Sequence, residues 1–139
     1  MKLFVLFFTL ITFCYCAVEE ELIVPEVAHI TGGWKALPLN SRKVINMVML
    51  LQNTYNKNSN SLYWSKFTKV EEASVQVTNG ISYRFTVIVE PTGCLKEEDF
   101  KNCKTPGFDD MPVEKCHYVL REMAPKFKPV IIGKACEQM

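Results

Sequence analysis

The side chains best suited to chemistry in this sequence are its six cysteines and two histidines. Cys94, Cys103, Cys116 and Cys136 lie in the last third, while Cys14 and Cys16 sit near the head. A nucleophilic cysteine needs a free thiol beside a base. A zinc site needs a Cys-x-x-Cys knuckle or a spaced histidine pair, and His29 and His117 make no such pair. Crosslinking remains. Four cysteines in an oxidising compartment suit two disulfides, with three connectivities open. Sequence neighbours suggest Cys94 with Cys103 and Cys116 with Cys136, closing loops that contribute about 2.6 and about 3.3 kcal/mol through the unfolded state. Pairing would consume all four thiols, so His117 beside Cys116 reads as a strand residue. No enzyme, metal site or cofactor is expected.

The compartment is read from the head of the chain. Met1-Lys2 and the apolar run Leu3 to Phe13 have the charge and length of a secretory signal peptide, and the run is too short to span a bilayer. Cys14 and Cys16 fit the small-residue slots before a cut, which places cleavage between Cys16 and Ala17. Residues 1–16 are then removed, and 17–139 form a single secreted, extracellular domain. Losing Lys2 leaves fifteen basic residues against fifteen acidic ones. Such a balance predicts no long-range steering of a charged partner, and the longest basic run is the Arg42-Lys43 pair. Neither nucleic acid nor a membrane is an expected partner, and affinity has to come from shape and apolar contact.

These residues must be positioned by the elements between them. Residues 17–31 carry Glu19-Glu20-Glu21 and Pro25 without a sustained period, and read as a mobile arm ending at Gly32-Gly33. Val44, Val48, Leu51 and Tyr55 then recur at helical spacing, with Ile45 and Met49 widening the stripe. Asn40 or Ser41 can cap this helix, and the polar stretch Asn56 to Ser61 ends it. Strand period follows from Tyr63 to Val77 and from Ile81 to Glu90, where Tyr83, Phe85, Val87 and Val89 form one face. Asn79-Gly80 between them predicts a type I′ hairpin turn, although the wider loop can be longer. Cys94 to Pro112 reads as a tied-down irregular segment. Strands return at His117 to Met123 and Lys126 to Ile132, with Pro129 placing the last at a sheet edge. The expected class is α+β, one long helix across a four- to five-stranded antiparallel sheet.

The ordered set of Gly32-Gly33, a helix ending in Tyr55-Asn56-Lys57-Asn58-Ser59-Asn60, Gln76-Val77-Thr78-Asn79-Gly80 before a Tyr-containing strand, and the cysteines resembles the secreted type 2 cystatins. These inhibit papain-like cysteine proteases of the cathepsin type, and the resemblance spans most of residues 17–139. It implies the first-with-second and third-with-fourth cysteine pairing. It also implies that the arm and two hairpin loops form a wedge entering the protease cleft, with no catalytic residue. Gly32 and Gly33 would let the arm approach the enzyme, setting Thr31 and Ile30 into its non-primed subsites. Gln76, Val77, Thr78, Asn79 and Gly80 would form the first loop, and Pro125 and Lys126 the second.

Two positions depart from the family pattern. Thr78 stands where the first loop usually has valine, and burying its hydroxyl unpaired would cost about 1 to 3 kcal/mol. The second loop usually carries Pro-Trp, whereas Glu122-Met123-Ala124-Pro125-Lys126-Phe127 has no tryptophan. That loss is worth about 2 kcal/mol or more, and Phe127 or the Lys126 stem would cover part of the area. Some family members also inhibit asparaginyl endopeptidase, legumain, through Ser-Asn-Asp after the helix, and Ser59-Asn60-Ser61 matches two of those positions, making Asn60 the candidate residue. The other reading is a secreted binding or immunomodulatory module that kept the scaffold with weak or lost inhibition. The expected state is a monomer, with hairpin exchange as the route to a domain-swapped dimer.

Overall fold

The computed structural model describes residues 32–139. The proposed signal peptide 1–16, the arm 17–31 and its contact residues Ile30 and Thr31 lie outside the described residues.

The chain forms β1 (Lys35–Ala36), α1 (Arg42–Asn58), β2 (Tyr63–Thr78), β3 (Gly80–Leu95), a short 3-10 turn (Phe100–Asn102), β4 (Glu114–Glu122) and β5 (Val130–Gln138). The five strands make one antiparallel sheet in sequence order. This is the expected α+β architecture.

Helix α1 starts where Ser41 takes extended backbone and its Oγ accepts from the Val44 N–H. It ends with the Ser59 N–H on the Tyr55 carbonyl, and Lys96 Nζ donates to the carbonyls of Asn56 and Ser59, both at 2.7 Å. A lysine there satisfies orphan carbonyls and meets the negative end of the helix dipole. Val44, Met47 and Leu51 are fully buried, with Val48 and Tyr55 packed beside them. The expected stripe is corrected on one flank. Ile45 and Met49 are 48% and 57% exposed, because about 100° of rotation per residue carries them past the arc that faces the sheet.

That arc packs on Tyr83, Phe85, Val87 and Val89 of β3 and on Tyr118 and Leu120 of β4. These strand residues alternate along their strands, so one concave face is apolar. Tyr55 spans the layers: its hydroxyl donates to Glu114 Oε2 at 2.9 Å, and burial first, then that carboxylate, push its pKa up to about 12.

The outer side of β2 is closed by the helix as well as by β1. Two-residue β1 pairs only with Val75 and Ser74. Further along, Asn56 accepts from the Ser65 N–H at 2.8 Å and donates to its carbonyl at 2.9 Å, while Gln52 Oε1 accepts from Phe67 N–H. Asn56 is 4% exposed and acts as a stand-in for a neighbouring strand. Its apparent role in sequence was only to end a helix.

Two strand expectations shift. The last strand is Val130–Gln138, not Lys126 to Ile132, because the chain turns at Lys126-Phe127, where Phe127 has φ +44° and its N–H meets the Met123 carbonyl. Pro129 immediately precedes this strand, which does lie at the sheet edge. β3 also runs into the segment read as irregular, as far as Leu95. The disulfides are Cys94–Cys103 and Cys116–Cys136, the pairing that sequence neighbours suggested.

Asn56→Ala should remove about 2 to 3 kcal/mol of stability, because two buried backbone groups of Ser65 lose their partner. Chemical denaturation measures this, and a loss below about 0.5 kcal/mol would mean that the strand edge does not depend on the amide.

Candidate functional site

The glycine pair and both loops meet at the end of the sheet where β2 turns into β3 and β4 leaves it. In the first loop Thr78 pairs with Gly80, and Asn79 stands alone at the tip. Gly80 has φ +109°, while Asn79 stays out of the positive region. A type I′ turn would need positive φ at both and would pair Thr78 with Ile81. The expected two-residue turn is therefore replaced by a tighter reversal in which Asn79 alone separates the paired Thr78 and Gly80.

Gly80 is required twice over. A Cβ there would lie 2.8 Å from the Glu122 carbonyl and 3.3 Å from Met123 Cγ, so the missing side chain lets the two loops touch. Arg121 Nη2 donates to the Asn79 carbonyl at 2.8 Å, a second tie between them. Gln76 Nε2 donates to the Gly32 carbonyl at 2.6 Å and fixes the third segment beside the first loop. Gly32 has φ +103° with open space around a built Cβ, so its conformation and not internal crowding calls for glycine. Gly33 follows, half-buried, and leads to Trp34, whose ring lies 4.1 Å from the Arg84 guanidinium.

The second loop, Met123 to Pro129, starts from an anchored residue. Glu122 is 3% exposed, and its carboxylate meets Lys43 Nζ at 2.6 Å and the Tyr83 hydroxyl at 3.1 Å. Burial disfavours the Lys43 ammonium most strongly, but its bond to Glu122 together with the charges of Tyr83 and Glu122 outweighs that and raises its pKa. Burial, with a contribution from Glu122, also raises Tyr83. The helix N-terminus, β3 and β4 are thus joined one residue before the loop. Pro125 and Lys126 lie in its turn, preceded by a cis Ala124–Pro125 bond. Val77, Met123 and Phe127 are each about half exposed, at 52%, 50% and 53%, and present apolar surface at this edge. Beside the loop, a groove of about 520 Å³ is lined by Arg121, Met123, Pro125, Lys126, Val130 and Ile132.

Thr78 is exposed. Asn60 is exposed as well but sits at the other end of the molecule, on the turn that Lys96 holds, so the structure does not bring it to the loops. Glu114, Cys116 and Cys136 offer ligand atoms within 4.8 Å of one another, but both sulfurs are in a disulfide and provide no thiolate. His117 Nδ1 lies 3.0 Å from Thr86 Oγ1. Sequence reading missed Lys43, Glu122 and Arg121. The alternation Cys116, Tyr118, Leu120, Glu122 could have signalled a carboxylate on the buried face.

A family model described as "Cystatin domain" matches residues 32–123. The chain belongs to the cystatin family. Cystatin-1 of Chilobrachys guangxiensis is 31% identical over 94 residues, covering 65% of this chain and 69% of that protein. Cystatin-S of Rattus norvegicus is 26% identical over 119 residues, 84% of each. Among solved structures, that of Al-CPI matches with a TM-score of 0.68 at 24% identity, covering 78% of this chain and 100% of the other, a likeness of fold. As a cystatin, the chain has cysteine protease inhibition as its general function and is not an enzyme.

Gly80→Ala should lower stability by about 1 to 3 kcal/mol through backbone strain and the clash with β4. Thermal and denaturant unfolding test this; a variant as stable as the parent would show that the loops are not held in contact.

Proposed function

We propose that this cystatin is a reversible, competitive inhibitor of papain-like (C1) cysteine proteases, secreted after removal of residues 1–16. Its wedge consists of Ile30, Thr31, Gly32 and Gly33, the first loop Gln76 to Gly80, and the second loop with Pro125 and Lys126. The observation that carries this reading is the convergence of Gly32, Gln76 to Gly80 and Met123 to Phe127 on one edge, tied by Gln76–Gly32, Arg121–Asn79 and the close approach of Gly80 to Glu122.

The wedge works by shape. Two hairpin loops can sit beside a catalytic cysteine without presenting a peptide bond in register for attack, and the preceding arm residues fill apolar subsites. Because the loops are already joined to each other, little conformational freedom is lost on docking. Thr78, exposed at the tip, keeps its hydroxyl solvated when free and needs an acceptor in the complex. Phe127 and Met123 supply apolar area at the place where the family usually has tryptophan.

Asn60 supports a second, separate contact with legumain. It is exposed on a turn pinned by Lys96, at the end opposite the wedge, so the two surfaces can be occupied independently.

Titration of papain or a cathepsin with the oxidised mature chain should give stoichiometric competitive inhibition. Gly32→Trp and Gln76→Glu should each weaken it by about tenfold or more, since each disturbs a wedge segment. No inhibition at micromolar concentration would favour a binding or immunomodulatory module instead. In a parallel assay, Asn60→Lys should abolish legumain inhibition and leave papain inhibition unchanged; survival of both would remove Asn60 from any such role.

A further inference from the structure

Among the described residues, cations cluster at one end of the sheet. At the wedge end, Arg121, Lys126 and Lys128 surround the second loop, and Lys35 lies on β1 just after the glycine pair. Arg84 stacks beside β1, and Arg42 and Lys43 begin the helix. Among the described residues, the carboxylate at this end is that of Glu122, which is buried and bound to Lys43. The first loop itself is uncharged.

The other described acids lie away from the loops and are mixed with lysines. Glu97, Glu98, Asp99, Asp109 and Asp110 share the β3–β4 connection at the far end with Lys96, Lys101 and Lys104, Glu114 and Glu137 flank Lys115 beside it, and Glu72 and Glu90 lie along β2 and β3. Glu71 is half-way along β2 and bridges to Lys115 at 2.6 Å. The sixteen residues of β3 run between the two ends. At about 3.3 Å per residue, the strand separates the ends by roughly 50 Å, against a Debye length of about 8 Å at physiological salt. Charges at the far end therefore cannot cancel the field of the cations at the loops. Cations around an apolar groove also define what fits there: an apolar surface rimmed by carboxylates.

We propose that this rim of cations around the loops selects the target, steering the wedge toward cysteine proteases with an acidic cleft rim and away from those with a basic one. The inference rests on the inhibitory reading above. Diffusion brings both enzymes to the wedge, but long-range attraction raises the encounter rate with the acidic rim alone, so discrimination appears in the association rate.

The test is stopped-flow association of the whole mature chain, which includes Glu19, Glu20, Glu21 and Glu26 before Gly32, with one acidic-rim and one basic-rim papain-like enzyme. Between about 20 and 500 mM NaCl, kon for the acidic-rim enzyme should fall about tenfold or more, while the basic-rim rate stays flat or rises. The double variant K35E/R42E, at positions outside both loops, should lower kon for the acidic-rim enzyme about five- to tenfold at low salt, with koff within about threefold. K101E/K104E makes the same change in net charge at the far end and should leave kon within about twofold. A rate independent of salt, as an acidic arm cancelling the field would produce, overturns the proposal. So does an equal effect of the two double variants. If the parent chain inhibits neither enzyme, the inhibitory reading fails first and the steering proposal falls with it.

Discussion

The edge proposed as the wedge depends on one buried carboxylate. Glu122 ends β4 with its side chain among core residues, where an unpaired charge would cost several kcal/mol. Lys43 and Tyr83 supply the partners, so the helix start, the central strand and the root of the second loop are bound at one point. The Glu122 carbonyl then meets Gly80, and the first loop is set against the second. A wedge needs this kind of joint, because two loops that moved independently would lose entropy on entering a cleft.

The covalent ties are placed differently. Cys94–Cys103 holds the segment after β3 at the far end, and Cys116–Cys136 joins β4 to the edge strand β5 in direct register. Hydrogen bonds, an ion pair and close packing hold the wedge, while crosslinks secure the far end and the sheet edge. This division suits a small chain whose core is one helix stripe on one sheet face.

Much of the fold was legible before any coordinates. The Val44–Leu51–Tyr55 spacing, the alternating face Tyr83–Phe85–Val87–Val89 and the short cysteine separations each follow from a local period or a short loop. The misreadings share a cause. Ile45 and Met49 are apolar, but which arc of a helix is covered depends on the element across from it. Lys126 to Ile132 looks like a strand, but positive φ at Phe127 puts the turn there. Asn79-Gly80 is the pair expected of a type I′ turn, yet Thr78 pairs with Gly80 and only Gly80 turns left-handed.

By itself, the sequence determined the class of fold, the order of the main elements and the cysteine pairs that neighbours suggested. Those are properties of spacing along the chain. Only the tertiary structure decided that Asn56 would complete a strand edge, that Lys43 and Glu122 would meet seventy-nine residues apart, and that Arg84 and Arg121 would come to the same end of the sheet as the glycine pair and both loops. Distance in space between charges and polar groups is created by folding, and electrostatics and hydrogen bonding respond to that distance alone.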